Sequence, residues 1–340
     1  MAELGAGPSL MRRMKSALQA RLPDQVVERL REISIGSHWL PDLYRLHLSS
    51  VETRTLAGQA RSALRVTRTV LDRKWLLFRP DVPAPGHAMY KICLYLGYRI
   101  TSDRTRPFAL AIRWSDTTFA PDDEVLSQLA NDYVVLNWAC QDTSKGRVAV
   151  VFTQVFGYSL AVDPRVYPGK YVRKSDRNAQ HDGSIVDGPR DPEPGFVYQR
   201  LINNEVDGGL VQDMRMPVIG RQIPFVYLKY RPTDIRFKNR NSRVELARVE
   251  EVLSPEEAAK VREFCDAMCL DYGEIDVLRN RDDGRLYIVD VNATPSGPPN
   301  HISREGERTA VAEMARAFRD VLAAARSSAD WRRAQSFSQL

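Results

Sequence analysis

Apolar residues change their spacing along this chain, and each change predicts a different kind of element. Within residues 1–72, Leu56, Ala60, Ala63, Leu64 and Leu71 recur at three- and four-residue intervals while Arg54, Arg61, Arg65 and Arg68 fall between them. That is the period of an amphipathic helix with one basic face. From Lys74 the runs shorten: apolar stretches at 75–78, 108–114 and 133–136 alternate with helix-like stretches at 87–96 and 122–130. This rhythm predicts a small parallel α/β unit over residues 73–140. Past Arg147 the chain turns strand-rich, with VAVVF, KYVRK, GFVYQRLI, LVQDMRMPVI, IPFVYLKYR, EIDVLRN and RLYIVDVN separated by Gly, Pro and Asp clusters. Ser254-Pro255-Glu256-Glu257 opens a helix among them with a cap, a proline in the first turn and a capping-box glutamate. A last helix is expected over about 305–325. The fold class expected is α/β, with a helical appendage at 1–72, the small unit at 73–140, a larger unit of two subdomains at 141–326 and a flexible tail at 327–340.

The most informative stretch is a hairpin. Strands at 272–278 and 285–291 flank Asn280-Arg-Asp-Asp-Gly284, a strong turn signal. In a symmetric hairpin about Asp283, Asp276 faces Asp290, and like charges directly opposite destabilise a sheet unless something neutralises them. Asn292 projects from the same face as Asp290. Two carboxylates and an amide oxygen suit a hard cation such as Mg²⁺, which completes its shell with water and substrate phosphates. The Ala-Thr-Pro-Ser-Gly-Pro-Pro run that follows ends the strand beside this site.

Cations are placed to meet phosphate. Lys170, Val172 and Lys174 share one face of a strand that leads into a polar, Gly-containing loop with His181, a setting that suits an anion. Asp213 and Arg215 share a face, as do Phe225, Tyr227, Lys229 and Arg231. Buried strands rarely carry such cations without an anionic partner.

Composition narrows the classes. With 49 basic and 43 acidic residues the 340-residue chain has a formal charge of +6, with 43% hydrophobic residues, which excludes wholesale disorder and coiled coils. No run reaches the roughly 20 apolar residues of a membrane helix, and no secretory leader pattern is present, so a cytoplasmic location is expected. Four cysteines without CxxC spacing are expected reduced and packed. Neither GxGxxG after the first strand nor GxxxxGK[ST] occurs, so a nucleotide must be held in another way. The basic N-terminal face meets either solvent or an anionic partner, and no nucleic-acid motif supports the second.

With these residues in view, the chain resembles the ATP-grasp superfamily, in the style of ribosomal protein glutamate ligases and glutathione synthetases. The resemblance covers about 137–299 and is most specific in EIDVLRNRDDGRLYIVDVNATPSGPP. It implies Asp276, Asp290 and Asn292 as ligands of Mg²⁺ or Mn²⁺, with Asp290 where many members carry Glu. It implies Lys145 and Lys174 on ATP phosphates, Gln199 and Leu201 at the adenine, and Asp213 or Glu205 at the ribose. Arg215 and Arg231, assisted by Lys229, would stand beside the γ-phosphate and the acyl phosphate, and His181 would help order the lid. The activity implied is ATP-dependent ligation: a small-molecule or peptide carboxylate is activated as an acyl phosphate and captured by an amine or other nucleophile. The alternatives are a kinase or phosphotransferase on the same fold, and a degenerate nucleotide-binding module docking through its basic N-terminal helices. Those helices are also the expected contact of a homodimer. Arg236, Lys238, Arg240 and Arg243 suit anionic substrates or a solvated loop equally.

Overall fold

The computed structural model describes residues 74–238 and 240–327. The helices expected at 1–72 and the tail expected beyond Ser327 lie outside them. The described chain opens with β1 (Lys74–Pro80), α1 (Ala88–Leu96), β2 (Tyr98–Thr101), β3 (Ala111–Trp114), α2 (Glu124–Leu129) and β4 (Val135–Leu136). The strands form a four-stranded parallel sheet in the order β2-β1-β3-β4. Leu76, Leu77 and Phe78 are fully buried in succession, as a parallel strand covered on both faces requires. β2 follows α1 after one left-handed glycine, Gly97 at φ +76°, a connection too short to show as a separate apolar run.

The first of the expected strands past this sheet is instead a helix, α3 (Lys145–Phe156), which contains VAVVF. A short apolar run serves a buried helix as well as a strand. Ser144 caps it by accepting the Arg147 N–H, and Gly157 at φ +80° ends it. Val148, Val151 and Phe152 are buried while Val150 is 52% exposed, which is helical rather than alternating burial.

β5 (Gly169–Ser175), β6 (Ser184–Gly188) and β7 (Phe196–Arg200) form an antiparallel sheet in the order β6-β5-β7. A larger antiparallel sheet follows, built from β8 (Glu205–Val206), β9 (Leu210–Ile219), β10 (Val226–Pro232), β11 (Arg243–Ala247), β12 (Tyr272–Arg279) and β13 (Leu286–Asn292). Its order is β11-β10-β9-β12-β13, with β8 on β9. A short α4 (Val249–Val252), the capped α5 (Pro255–Ala267) and α6 (Arg304–Arg326) complete the described elements; Ser254 and Glu257 close the expected capping box.

The large sheet has two unlike faces. One packs Met214, Met216, Val226, Ile275 and Val277 against α3 and α5. The other is apolar only toward one end, where Phe225, Tyr227 and Tyr272 join a core with α1, α6 and the parallel sheet. Asn137 ties the two sheets together: its N–H donates to Asp271 Oδ2 at 2.7 Å, its Oδ1 accepts from the N–H groups of Asp271 and Tyr272, and its Nδ2 donates to the Tyr272 carbonyl. Its left-handed φ of +56° aims the side chain and N–H together at that strand. The rest of this second face is polar.

Candidate functional site

The polar face is set by the strand register. Asp276 pairs directly with Asp290 across β12 and β13, and Glu274 with Asn292. The turn is not symmetric as the sequence suggests, because Val277 pairs with Ile288. Val289 is the extra residue of a β-bulge, and this bulge restores the Asp276–Asp290 pairing. On the other side of β12, Asp276 pairs with Arg215 of β9, which in turn pairs with Tyr227 of β10; two pairs along, on the same face, Asp213 stands opposite Lys229. Alternation therefore puts Asp213, Arg215, Tyr227, Lys229, Arg231, Glu274, Asp276, Asp290 and Asn292 on one face.

Their contacts are specific. Arg215 makes a two-pronged bond to Asp276, Nε to Oδ1 and Nη2 to Oδ2, both at 2.8 Å. Lys229 Nζ lies 3.5 Å from Asp276 Oδ1. Burial works against the Asp276 charge, but Arg215 and Lys229 outweigh it and hold this carboxyl well below the usual carboxylate range. Burial likewise opposes the Arg215 charge, and Asp276 reverses the balance so that its guanidinium is raised. Burial lowers Lys229, and Arg215 adds to that. Glu274 has a side chain only 2% exposed, and Arg215 Nη1 stands 3.5 Å from its Oε2. Neither Glu274 oxygen has a hydrogen-bond partner among the described residues. Burial pushes its carboxyl up to about 7 against the pull of Arg215. Glu274 is not among the expected site residues; its signal in the sequence is an acidic residue in the buried register of EID.

Arg231 pairs with Asp213 Oδ2 and donates to the carbonyls of Arg236 and Lys238. Asp213 Oδ1 accepts from Asn204 Nδ2 at 2.9 Å, so both of its oxygens are engaged. Glu205 is exposed on β8, clear of this pair.

The small sheet reaches the same face. Lys174, at the end of β5, donates to the Val289 carbonyl at 3.0 Å, the carbonyl of the bulge residue. Burial brings its ammonium down to about 8, with Asp290 opposing. Lys145, in the first turn of α3, lies 3.6 Å from Asp290 Oδ1 and donates to the Arg177 carbonyl and Asn178 Oδ1. Asn178, also missed in the sequence, clasps the loop after β5 to the large sheet through an Nδ2 bond to the Val291 carbonyl and to the segment before α3 through one to the Thr143 carbonyl, while its N–H donates to Thr118 Oγ1. His181, at φ +51°, lies further along this loop and is exposed.

Between α3 and β7 lies a cavity of about 570 Å³ lined by Gly146, Ala149, Thr153, Ala161, Val197 and Gln199, among others. Gln199 is 3% exposed and its Nε2 has no hydrogen-bond partner among the described residues. Leu201 lies just past the strand and does not line this cavity.

The donor set fits a hard cation in part. Asp290 Oδ1 is buried without a hydrogen bond among the described residues, and Asn292 Oδ1 accepts only short-range bonds from Thr294. Among the described residues no three of His, Cys, Asp or Glu are grouped to hold a metal ion. A cation here would therefore rely on Asp290, Asn292, whichever oxygen Asp276 releases from Arg215, and oxygens brought by a nucleotide. All four cysteines are free, and three are buried. Among the described residues no helix is long and apolar enough to cross a membrane.

The chain is similar in structure to ATP-grasp ligases. One is the ATP-grasp ligase PsnB complexed with a phosphomimetic variant of its minimal precursor, Mg and ADP, at 12% identity and a TM-score of 0.45, covering 72% of this chain and 97% of that one. D-alanine–D-alanine ligase from Bacillus anthracis matches at 10% identity and a TM-score of 0.46, covering 75% and 99%. An L-amino acid ligase from Bacillus licheniformis matches at 14% identity and a TM-score of 0.42, covering 72% and 74%. No family model matches the chain, and no curated protein matches it.

Proposed function

We propose that this chain is an ATP- and Mg²⁺-dependent ligase that activates a substrate carboxylate as an acyl phosphate for capture by an amine or other nucleophile. The observation that carries this reading is the facing pair Asp276 and Asp290, ringed by Lys145, Lys174, Arg215, Lys229 and Arg231 on one sheet face. Phosphoryl transfer needs cations placed around a moving charge more than it needs a covalent residue.

In this reading Lys145 and Lys174 hold the phosphates from the small-sheet side. Arg215, Lys229 and Arg231 face the transferred group from the large sheet and stabilise the charge that gathers there. Asp276, Asp290 and Asn292 would hold Mg²⁺, which would supply positive charge to offset that of the phosphates. Gln199 offers its unpaired amide N–H to the adenine at the 570 Å³ cavity, with Leu201 contributing backbone next to it. Glu205 suits the ribose better than Asp213, because both Asp213 oxygens are already engaged. The loop with Asn178 and His181 covers the phosphates and excludes water that would hydrolyse the acyl phosphate.

The test is turnover of ATP to ADP with Mg²⁺ in a screen of amino acids and short peptides, with hydroxylamine added to trap an acyl phosphate as its hydroxamate. Hydroxamate that depends on ATP and on one carboxylate supports the ligase. A stable phosphorylated product without hydroxamate indicates a phosphotransferase, and no Mg²⁺-dependent nucleotide binding at all refutes the reading.

A further inference from the structure

Asp276 cannot serve a metal while Arg215 holds it. Its two oxygens accept Arg215 Nε and Nη2 at 2.8 Å each, and Lys229 crowds the first from 3.5 Å. A cation drawing on Asp276 must displace that guanidinium from at least one oxygen, and a buried guanidinium without a carboxylate is costly. Two residues back on the same strand and face stands Glu274, 2% exposed, with neither oxygen hydrogen-bonded among the described residues. A buried carboxylate left without hydrogen bonds is itself costly, so each group lacks in one arrangement what the other supplies. The third guanidinium nitrogen, Nη1, already points that way at 3.5 Å from Oε2. Among the described residues the ion pair that Glu274 makes is this one, with Arg215.

We propose that Glu274 is a positioning residue that receives Arg215 when metal and nucleotide enter, so that Arg215 exchanges its two-pronged pair from Asp276 to Glu274 and frees Asp276 for the cation. This rests on the nucleotide and metal reading above. With Arg215 on Asp276, that carboxylate balances both Arg215 and Lys229. In the loaded protein it is retained at the site by Glu274, one step along the strand, still beside the transferred group.

The test measures metal uptake directly. Mn²⁺ is titrated into ADP-saturated protein and free Mn²⁺ is read by electron paramagnetic resonance, for wild type, Glu274→Gln, Arg215→Gln and the double variant. Glu274→Gln, which weakens the second acceptor for Arg215, raises the Mn²⁺ Kd by about tenfold, a typical coupling between linked sites. In the Arg215→Gln background the same change has no effect on Mn²⁺, since there is no guanidinium left to receive. Glu274→Asp keeps the charge but withdraws it by one methylene, and shows a loss in the same direction; it carries the test if the Gln variant does not fold. Unaltered Mn²⁺ affinity in both Glu274 variants, or an equal loss with and without Arg215, overturns the exchange. Wild-type protein that takes up no ADP, with or without Mn²⁺, overturns the nucleotide reading and the exchange together.

Discussion

The two facing aspartates differ in what each holds in place, and paired substitutions expose the difference. Asp276→Asn keeps the shape of the side chain but removes the charge that balances Arg215 and Lys229, whose side chains are only 22% and 4% exposed. Breaking a buried pair by neutralising one member costs about 3–5 kcal/mol. The lower end applies here, about 3 kcal/mol, because Glu274 stands 3.5 Å from Arg215 and can take over part of the pairing. For a folded unit of this size that corresponds to a melting temperature lower by roughly 6–12 °C. Asp290→Asn removes a charge that is 30% exposed and whose nearest cation, Lys145, lies 3.6 Å away and keeps two other acceptors. Its cost is at most about 1 kcal/mol. Urea and thermal unfolding at pH 7 in chelator measure both. Equal losses, or a larger loss for Asp290→Asn, would refute the assignment of Arg215 to Asp276 as the dominant buried pair. With Mg²⁺ in place of chelator, Asp290→Ala abolishes Mg²⁺-dependent turnover while the protein stays folded, and wild-type turnover in that variant would remove Asp290 from the metal site.

Other expectations follow from the same contacts. Lys174 has an ammonium brought down to about 8, so its charge is lost as pH rises through that value. ATP affinity should therefore fall between pH 7 and 9.5 in wild type, and Lys174→Ala should bind ATP weakly with little dependence on pH; a parallel decline in both counts against Lys174 as a phosphate group. Burial raises Asp271 from 3.8 to about 6, so the folded state keeps a proton that the unfolded chain sheds, and the contribution of this group to stability falls as pH rises from about 4 to 6. At roughly 1.4 kcal/mol per unit, Asp271→Asn should gain up to about 3 kcal/mol on wild type between pH 4 and pH 7 in urea titrations; a constant difference would contradict it. Asn178→Ala removes the clasp on the loop after β5, at a cost of about 1–2 kcal/mol, and should speed proteolytic cleavage within 176–183. Unchanged cleavage would show that other contacts hold that loop.

Much of the framework was legible because it depends on local chemistry. The α5 start could be read from Ser254, Pro255 and Glu257, whose bonds to the first turn need no tertiary partner. The parallel order of the first sheet followed from alternating runs, although β2 was lost because a single glycine separates it from α1. VAVVF misled because residue type alone does not distinguish a buried strand from a buried helix; the deciding signals were Ser144 and Gly157 outside the run. β6 and β11 were missed as strands because SIVDG and RVELA sit partly exposed on sheet edges, with no continuous apolar stripe. At the candidate site, symmetry about Asp283 points to the correct Asp276–Asp290 pair through an incorrect register: the turn alone, with Val277 opposite Ile288, would set Asp276 opposite Val289, and only the bulge, which nothing in Ile288-Val289 marks, brings Asp290 to it. Arg215 opposite Asp276 depends on how β9 and β12 register across 61 residues, which no local pattern encodes. Glu274 and Asn178 went unread for the same reason: each acquires its meaning from partners distant in sequence.

The bulge at Val289 also governs how this hairpin can change length. Because the bulge holds one residue more than the ladder needs, removing Val289 would leave Asp290 directly after Ile288 and still opposite Asp276, on the polar face, with the turn itself untouched. Insertions among 280–285 lie beyond the pairs that matter and leave both aspartates facing. The bulge thus buffers the returning strand: one residue can be lost between the turn and Asp290 without turning that aspartate over, whereas loss of Val291 would send Asn292 to the apolar face. Among descendants of this chain, variable turns and an invariant spacing from Asp290 to Asn292 are the expected fossil of that constraint.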